Sequence, residues 1–172
     1  LQFQHVSRSW IVALTYDDLS RGFRADYGFV PRVDTRSGTA TVFRQIWGKP
    51  KGWFNYLRFG AAGEIVYDHD GMLTDRGLTL GALYQGNLES QANVHGIFAR
   101  TFYDGQYFDT AYGTLAFSIR PFSGSEVGFY GMAGQSIDYA NSRLANVFAA
   151  GPTASLSLFR RLNLVAAHTY ER

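Results

Sequence analysis

Apolar and polar positions alternate with period two along most of this chain. The pattern is clearest between Gly22 and Asp34. There Phe23, Ala25, Tyr27, Phe29, Pro31 and Val33 interleave with Arg24, Asp26, Gly28, Val30, Arg32 and Asp34. Successive side chains of a strand point to opposite faces, so this stretch predicts a strand with one apolar, aromatic face and one charged face. A helical period would spread the same charges around the axis, which rejects a helix.

The same reading continues in both directions. A first strand is predicted over Val6–Tyr16, with Val6, Trp10, Val12, Leu14 and Tyr16 on its apolar side. DDLSRG (17–22) and DTRSG (34–38) bracket the strand over 22–34, and Thr39–Trp47 follows with the poorest alternation. After KPKG (49–52), the stretch Trp53–Tyr67 sets Trp53, Leu57, Phe59, Ile65 and Tyr67 against Arg58, Glu64 and Asp68. Aromatics at both ends of an apolar face, with smaller residues between, are the pattern of an aromatic girdle. Further strands are predicted over Met72–Tyr84, from Leu88 to the YDGQ turn (103–106), over Tyr107–Arg120 and Glu126–Tyr139, and around Phe148–Leu158. A last one begins at Leu162. ANSRLAN (140–146) reads as the longest connection.

About ten long strands in sequence, joined by short turns and without a helix, predict an antiparallel up-and-down barrel; soluble strands average only ~5–6 residues. Composition bears on which face is inside. The 172 residues include 19 Gly, 14 Phe and 11 Tyr, but only 17% are charged. The two lysines, Lys49 and Lys51, share one turn. A soluble lipocalin-like barrel would need a charged exterior, whereas the polar face here is mostly Gly, Ser, Thr, Asn and Gln. The pattern therefore predicts a transmembrane barrel with its aromatic faces toward lipid. No apolar run reaches the ~20 residues of a membrane helix, which says nothing about a barrel. The net charge of +2 and the absence of a basic cluster exclude the usual nucleic-acid binder. Without cysteine there is no disulfide framework or thiolate metal site.

YDDLSRGFRADYGFVPRVDTR (16–36) has an F-x-x-D-x-G-F-x-x-R core at Phe23, Asp26, Gly28, Phe29 and Arg32, followed by Asp34. It resembles a family of large bacterial outer-membrane proteins, in which a module like carbohydrate-binding family nine precedes a C-terminal β-barrel of uncharacterised function. SRSW (7–10) and HTYER (168–172) are similar to that barrel too. The resemblance implies an internal piece of a larger barrel, located in the outer membrane of a Gram-negative bacterium. Its partners would be the lipid bilayer and lipopolysaccharide, the remaining strands or domains of the same polypeptide, and other envelope proteins.

Chemistry beyond this is sparse. His5, His69, His95 and His168 show no metal-ligand spacing, and His95 reads as a hydrogen-bonding group of the polar face. DHDG (68–71) has the start of a calcium loop without its downstream ligands, and it is explained as a turn. No G-x-S-x-G elbow occurs. Arg24, Asp26, Arg32, Asp34, Arg58 and Glu64 are expected to form a charge ladder across the lumen, bracing it by opposite signs. Trp10, Tyr16, Phe23, Tyr27, Trp53, Tyr67 and Tyr84 are the expected membrane-interface aromatics. The chain is thus expected to be one barrel unit over 1–172 that anchors or forms a pore for a larger cell-surface protein. It would need no cofactor, hold no metal and perform no catalysis in this segment. A soluble ligand-binding barrel and an outer-membrane hydrolase are the alternatives.

Overall fold

The computed structural model describes residues 1–24, 32–158 and 162–172. The strands are β1 (Gln2–Val6), β2 (Trp10–Leu19), β3 (Thr35–Trp47), β4 (Phe54–Tyr67), β5 (Leu73–Gly86) and β6 (Gln91–Tyr103). They continue as β7 (Gln106–Ile119), β8 (Ser125–Asp138), β9 (Arg143–Leu158), β10 (Leu162–Ala167) and β11 (Tyr170–Glu171). All pair antiparallel in one sheet in chain order from β1 to β10. β11 continues the line of β10 along β9, with Tyr170 opposite Ala150. The predicted all-β, up-and-down meander is therefore the fold. Closure is not seen: among the described residues β1 and β10 are outer strands that do not pair with each other.

Local chemistry sets the short connections. Asp104 (φ 50°) and Gly105 (φ 78°) both adopt left-handed backbone between the paired residues Tyr103 and Gln106. Two such residues make the tight hairpin whose twist matches that of the flanking strands. At 7–9 the chain turns where a continuous strand was expected. Ser7 N–H donates to the Trp10 carbonyl at 2.8 Å, and Trp10 N–H donates to Ser7 Oγ at 3.0 Å.

The stretch with the clearest alternation does not come between β2 and β3 in the sheet. These two strands pair directly, from Trp10 opposite Arg44 to Leu19 opposite Thr35, so residues 20–34 connect them. Residues 25–31 lie outside the described residues. At their flanks Arg21–Gly22 is a turn, and Phe23, Arg24, Arg32 and Val33 have no ladder partner. Both edges of β2 are taken, by β1 and β3.

The sheet is a single layer without a conventional core. Its accessible surface is 12081 Å², against about 8,400 Å² expected for a compact monomer of 19.2 kDa. Among the described residues the buried apolar side chains are Tyr56, Val66 and Phe108. Tyr56 donates its hydroxyl to Gln45 Oε1 at 2.5 Å, and Gln45 Nε2 donates to the Ser7 carbonyl at 3.0 Å. This chain of bonds ties the β1–β2 turn to β3 and β4.

Candidate membrane-facing band and polar face

Cross-strand register assigns each side chain to a face. Leu80 lies opposite Ala61 and Gly96, Leu115 opposite Val94 and Gly131, and Phe129 opposite Phe117 and Pro152. These residues share one face with Leu14, Val42, Phe59, Leu78, Phe98 and Phe148. The opposite face carries Ser37, Thr39, Thr41, Thr79, Asn93, His95, Thr110, Thr114 and Ser118. Along β7 the apolar-face residues Ala111, Gly113, Leu115 and Phe117 are exposed, while Thr110, Tyr112, Thr114, Ala116 and Ser118 are partly covered. β5 repeats the pattern with Leu78, Leu80 and Ala82 exposed. The covered face is the polar one, which inverts the burial of a water-soluble protein.

The apolar face is a band with two borders. At the end of the sheet that holds the 20–34 connection, Asp18 and Arg36 are directly paired. On β5 to β7 the border is Arg76, Arg100 and Asp109, again paired in line. This border lies two residues further along the strands, because Arg76 pairs with Ile65 and Ile65 with Gly38. On β8 and β9 it steps two residues again, to the pair Gln135 and Asn146. The other border moves the same way, from Trp10 and Arg44 on β2 and β3, through Tyr84 on β5, to Leu156 and Leu158 on β9. Between borders the band covers seven residues on β5 (Leu78–Tyr84) and eleven on β9 (Phe148–Leu158), roughly 20–35 Å of strand at ~3.3 Å per residue. A band that slips steadily in register runs oblique to the strands. Strands tilted in a bilayer produce this pattern, since a plane of constant depth then cuts neighbouring strands at staggered residues.

The expected interface aromatics fall largely on these borders. Tyr16 and Tyr67 stand near the Asp18–Arg36 border, and both are exposed. Trp10 lies at the other border, where the Arg44 guanidinium carbon sits 4.9 Å from its ring centre. Trp53 stacks on Tyr84 at 5.9 Å, and the Tyr84 hydroxyl donates to the Trp53 carbonyl at 2.9 Å. Phe23 is exposed in the connection, and Tyr27 lies outside the described residues. Alternation also bypassed Tyr107, an exposed border residue whose ring lies under Arg100 at 4.8 Å.

The six expected ladder charges do not pair with one another among the described residues. Arg24 is exposed in the connection, and Asp26 lies outside the described residues. Arg32 reaches Asp75 on β5, its Nη1 donating to Oδ2 at 2.6 Å. Arg58 lies on the polar face with its guanidinium 5.2 Å from the Phe43 ring centre, and Glu64 stands exposed on the same face. Asp34 joins a cluster that the sequence did not reveal. Its carboxylate accepts from Arg21 Nε at 3.0 Å and lies 2.8 Å from His69 Nδ1, while His69 Nε2 lies 2.8 Å from Asp18. Arg21 also pairs with Asp70 at 2.5 Å. Burial pushes the Asp34 carboxyl up, but the hydrogen bonds from Arg21 and His69 outweigh it and hold the group below its ordinary value. The two carboxylates, Asp70 first and then Asp34, raise Arg21.

At the opposite end Arg120 bridges Glu126, at 3.0 Å, and Glu89. Glu126 first and then Glu89 raise its guanidinium. His95 sits on the polar face against Gly81, where an added Cβ would come within 3.0 Å of its ring. DHDG is a turn, with Met72 N–H donating to Asp68 Oδ1 at 2.8 Å. Among the described residues no group of three or more His, Asp or Glu side chains is placed to hold a metal ion. No helix there is long and apolar enough to cross a membrane. Compared with known protein families, curated proteins and solved structures, the chain matches none.

Proposed function

We propose that the chain is a membrane-spanning segment of an outer-membrane β-barrel, serving as the anchor or pore wall of a larger cell-surface protein, without catalysis in this segment. The oblique band carries the reading: the exposed face is apolar, bordered by charged and amide side chains at one end and by Trp10, Arg44 and Tyr84 on β2, β3 and β5 at the other, and the covered face is hydroxyl- and amide-rich. Lipid satisfies the first face, and a watery lumen satisfies the second. Among the described residues the outer edges of β1 and β10 are unpaired, which accords with it, because backbone donors and acceptors in hydrocarbon must find partners from further strands. The resemblance around Phe23, Asp26, Gly28, Phe29 and Arg32 supports the same compartment, a Gram-negative outer membrane, with lipopolysaccharide and other envelope proteins as neighbours.

The test is to prepare cell envelopes containing the native protein and extract them with and without detergent. Boiled and unboiled samples are then compared by gel mobility. The proposal expects release only by detergent and a shift in mobility on heating. Release into buffer as a monomer would replace it with a soluble barrel whose aromatic face lines a ligand cavity.

A further inference from the structure

Arg76 on β5 and Arg100 on β6 are directly opposed residues on the apolar face. Like charges in directly opposed positions of a sheet destabilise it, so the pair calls for a counter-charge. Among the described residues Arg76 makes no ion pair. The Nε of Arg100 is shielded from solvent yet has no hydrogen-bond partner among the described residues. Asp109 approaches it to 3.6 Å, beyond a normal hydrogen bond, and is itself 70% exposed. The two arginines head a groove of about 440 Å³, lined below them by Leu78, Phe98 and Ala111. A donor-rich head above an apolar floor, at the border of a lipid-facing band, has the chemistry of a phosphate ester attached to a hydrocarbon chain. Guanidinium groups bind phosphate oxygens in pairs of parallel hydrogen bonds.

We infer that Arg76 and Arg100 hold the phosphate of an anionic membrane lipid, with one acyl chain lying along Leu78 and Phe98. Asp109 limits the net charge of the site to one positive unit, which favours an anion carrying its own apolar anchor over free phosphate. This inference rests on the membrane reading above, so its test scores the two separately.

The protein is incorporated into phosphatidylcholine vesicles that contain a minor fraction of phosphatidic acid, recovered in mild detergent, and examined by native mass spectrometry for retained lipid. Wild type should keep phosphatidic acid in preference to phosphatidylcholine. Arg76→Gln with Arg100→Gln should lose that preference severalfold, while Arg44→Gln, at the opposite border, should keep it. Glycerol 3-phosphate, which lacks the acyl chains, should not displace the lipid. Equal retention by wild type and the double variant, with normal incorporation of both, would overturn the lipid site and leave the membrane reading intact. Displacement by glycerol 3-phosphate would overturn the choice of a lipid. Failure of the wild type to enter vesicles would overturn both.

Discussion

The Asp34 carboxylate lies 2.8 Å from His69 Nδ1, and so fastens the end of the β2–β3 connection to the turn between β4 and β5. The His69 backbone N–H donates to the same carboxylate at 3.3 Å. Because the folded pKa of Asp34 is depressed, the stabilisation it provides is fully present above its unfolded value, near ~4. It is lost as pH falls through the folded value. We expect the amide resonance of His69 to move on acidification below about pH 4. In Asp34→Asn that acid-dependent shift should vanish. In Arg21→Gln, which removes the largest of the contributions that lower Asp34, its midpoint should rise toward the ordinary carboxylate range.

Leu80 and Thr79 are sequence neighbours on opposite faces, which makes them a paired test of orientation. In a bilayer, arginine at the middle of the apolar band costs about 2–4 kcal/mol. Leu80→Arg should therefore lower unfolding free energy in vesicles by that amount, and Thr79→Arg should change it little. On a water-exposed sheet, Leu80→Arg would fall within about 0.5 kcal/mol of wild type. Denaturant titration of the vesicle-incorporated proteins measures the difference.

Tryptophan depth offers a second, independent check. Trp10 and Trp53 stand at one border of the band, whereas Trp47 lies at the polar-face end of β3 with Tyr56 at 4.8 Å. Single-tryptophan variants in vesicles of brominated lipid should show strong quenching of Trp10 and Trp53 by bromines placed near the headgroups. Trp47 should be quenched less at every bromine depth. Uniformly weak quenching of all three would refute a lipid-facing apolar band.

Close approach on the polar face sets a fourth expectation. Gly134 (φ 145°) lies opposite Tyr112, and an added Cβ would collide with the Ala111 carbonyl and the Tyr112 backbone. The backbone conformation and the contact both exclude a side chain there. Gly134→Val should cost about 2 kcal/mol, a typical penalty for overpacking, and should loosen the amides that join β7 and β8 in hydrogen exchange. Gly63→Ala, where the nearest atom to a Cβ is 3.8 Å away, should leave stability nearly unchanged.

Strand identity was largely legible because period-two alternation is a local property. Leu78, Leu80, Ala82 and Tyr84 announced both β5 and its apolar face, and Asp104–Gly105 announced its hairpin by turn chemistry. The same alternation predicts a strand over 22–34, whose middle lies outside the described residues; what register adds is that β2 pairs directly with β3, so that stretch does not come between them. The His69 cluster was hidden because its members, Asp18, Arg21, Asp34 and Asp70, come together only through register and turn geometry. Arg76 and Arg100 did leave a signal. Each breaks an apolar face, Arg76 near the start of β5 and Arg100 near the end of β6, and antiparallel register places them side by side at one end of the sheet.

Every strand from β2 to β8 pairs only with its neighbours in sequence, with short turns at one end of the sheet and connections of variable length at the other. The unit of inheritance in such a sheet is the hairpin. Duplicating or losing two strands re-forms one seam, preserves the direction of every remaining strand, and changes only the width of the sheet. A lineage built this way can alter the width of its sheet in even steps at the cost of one new seam, so kinship between its members should be sought hairpin by hairpin.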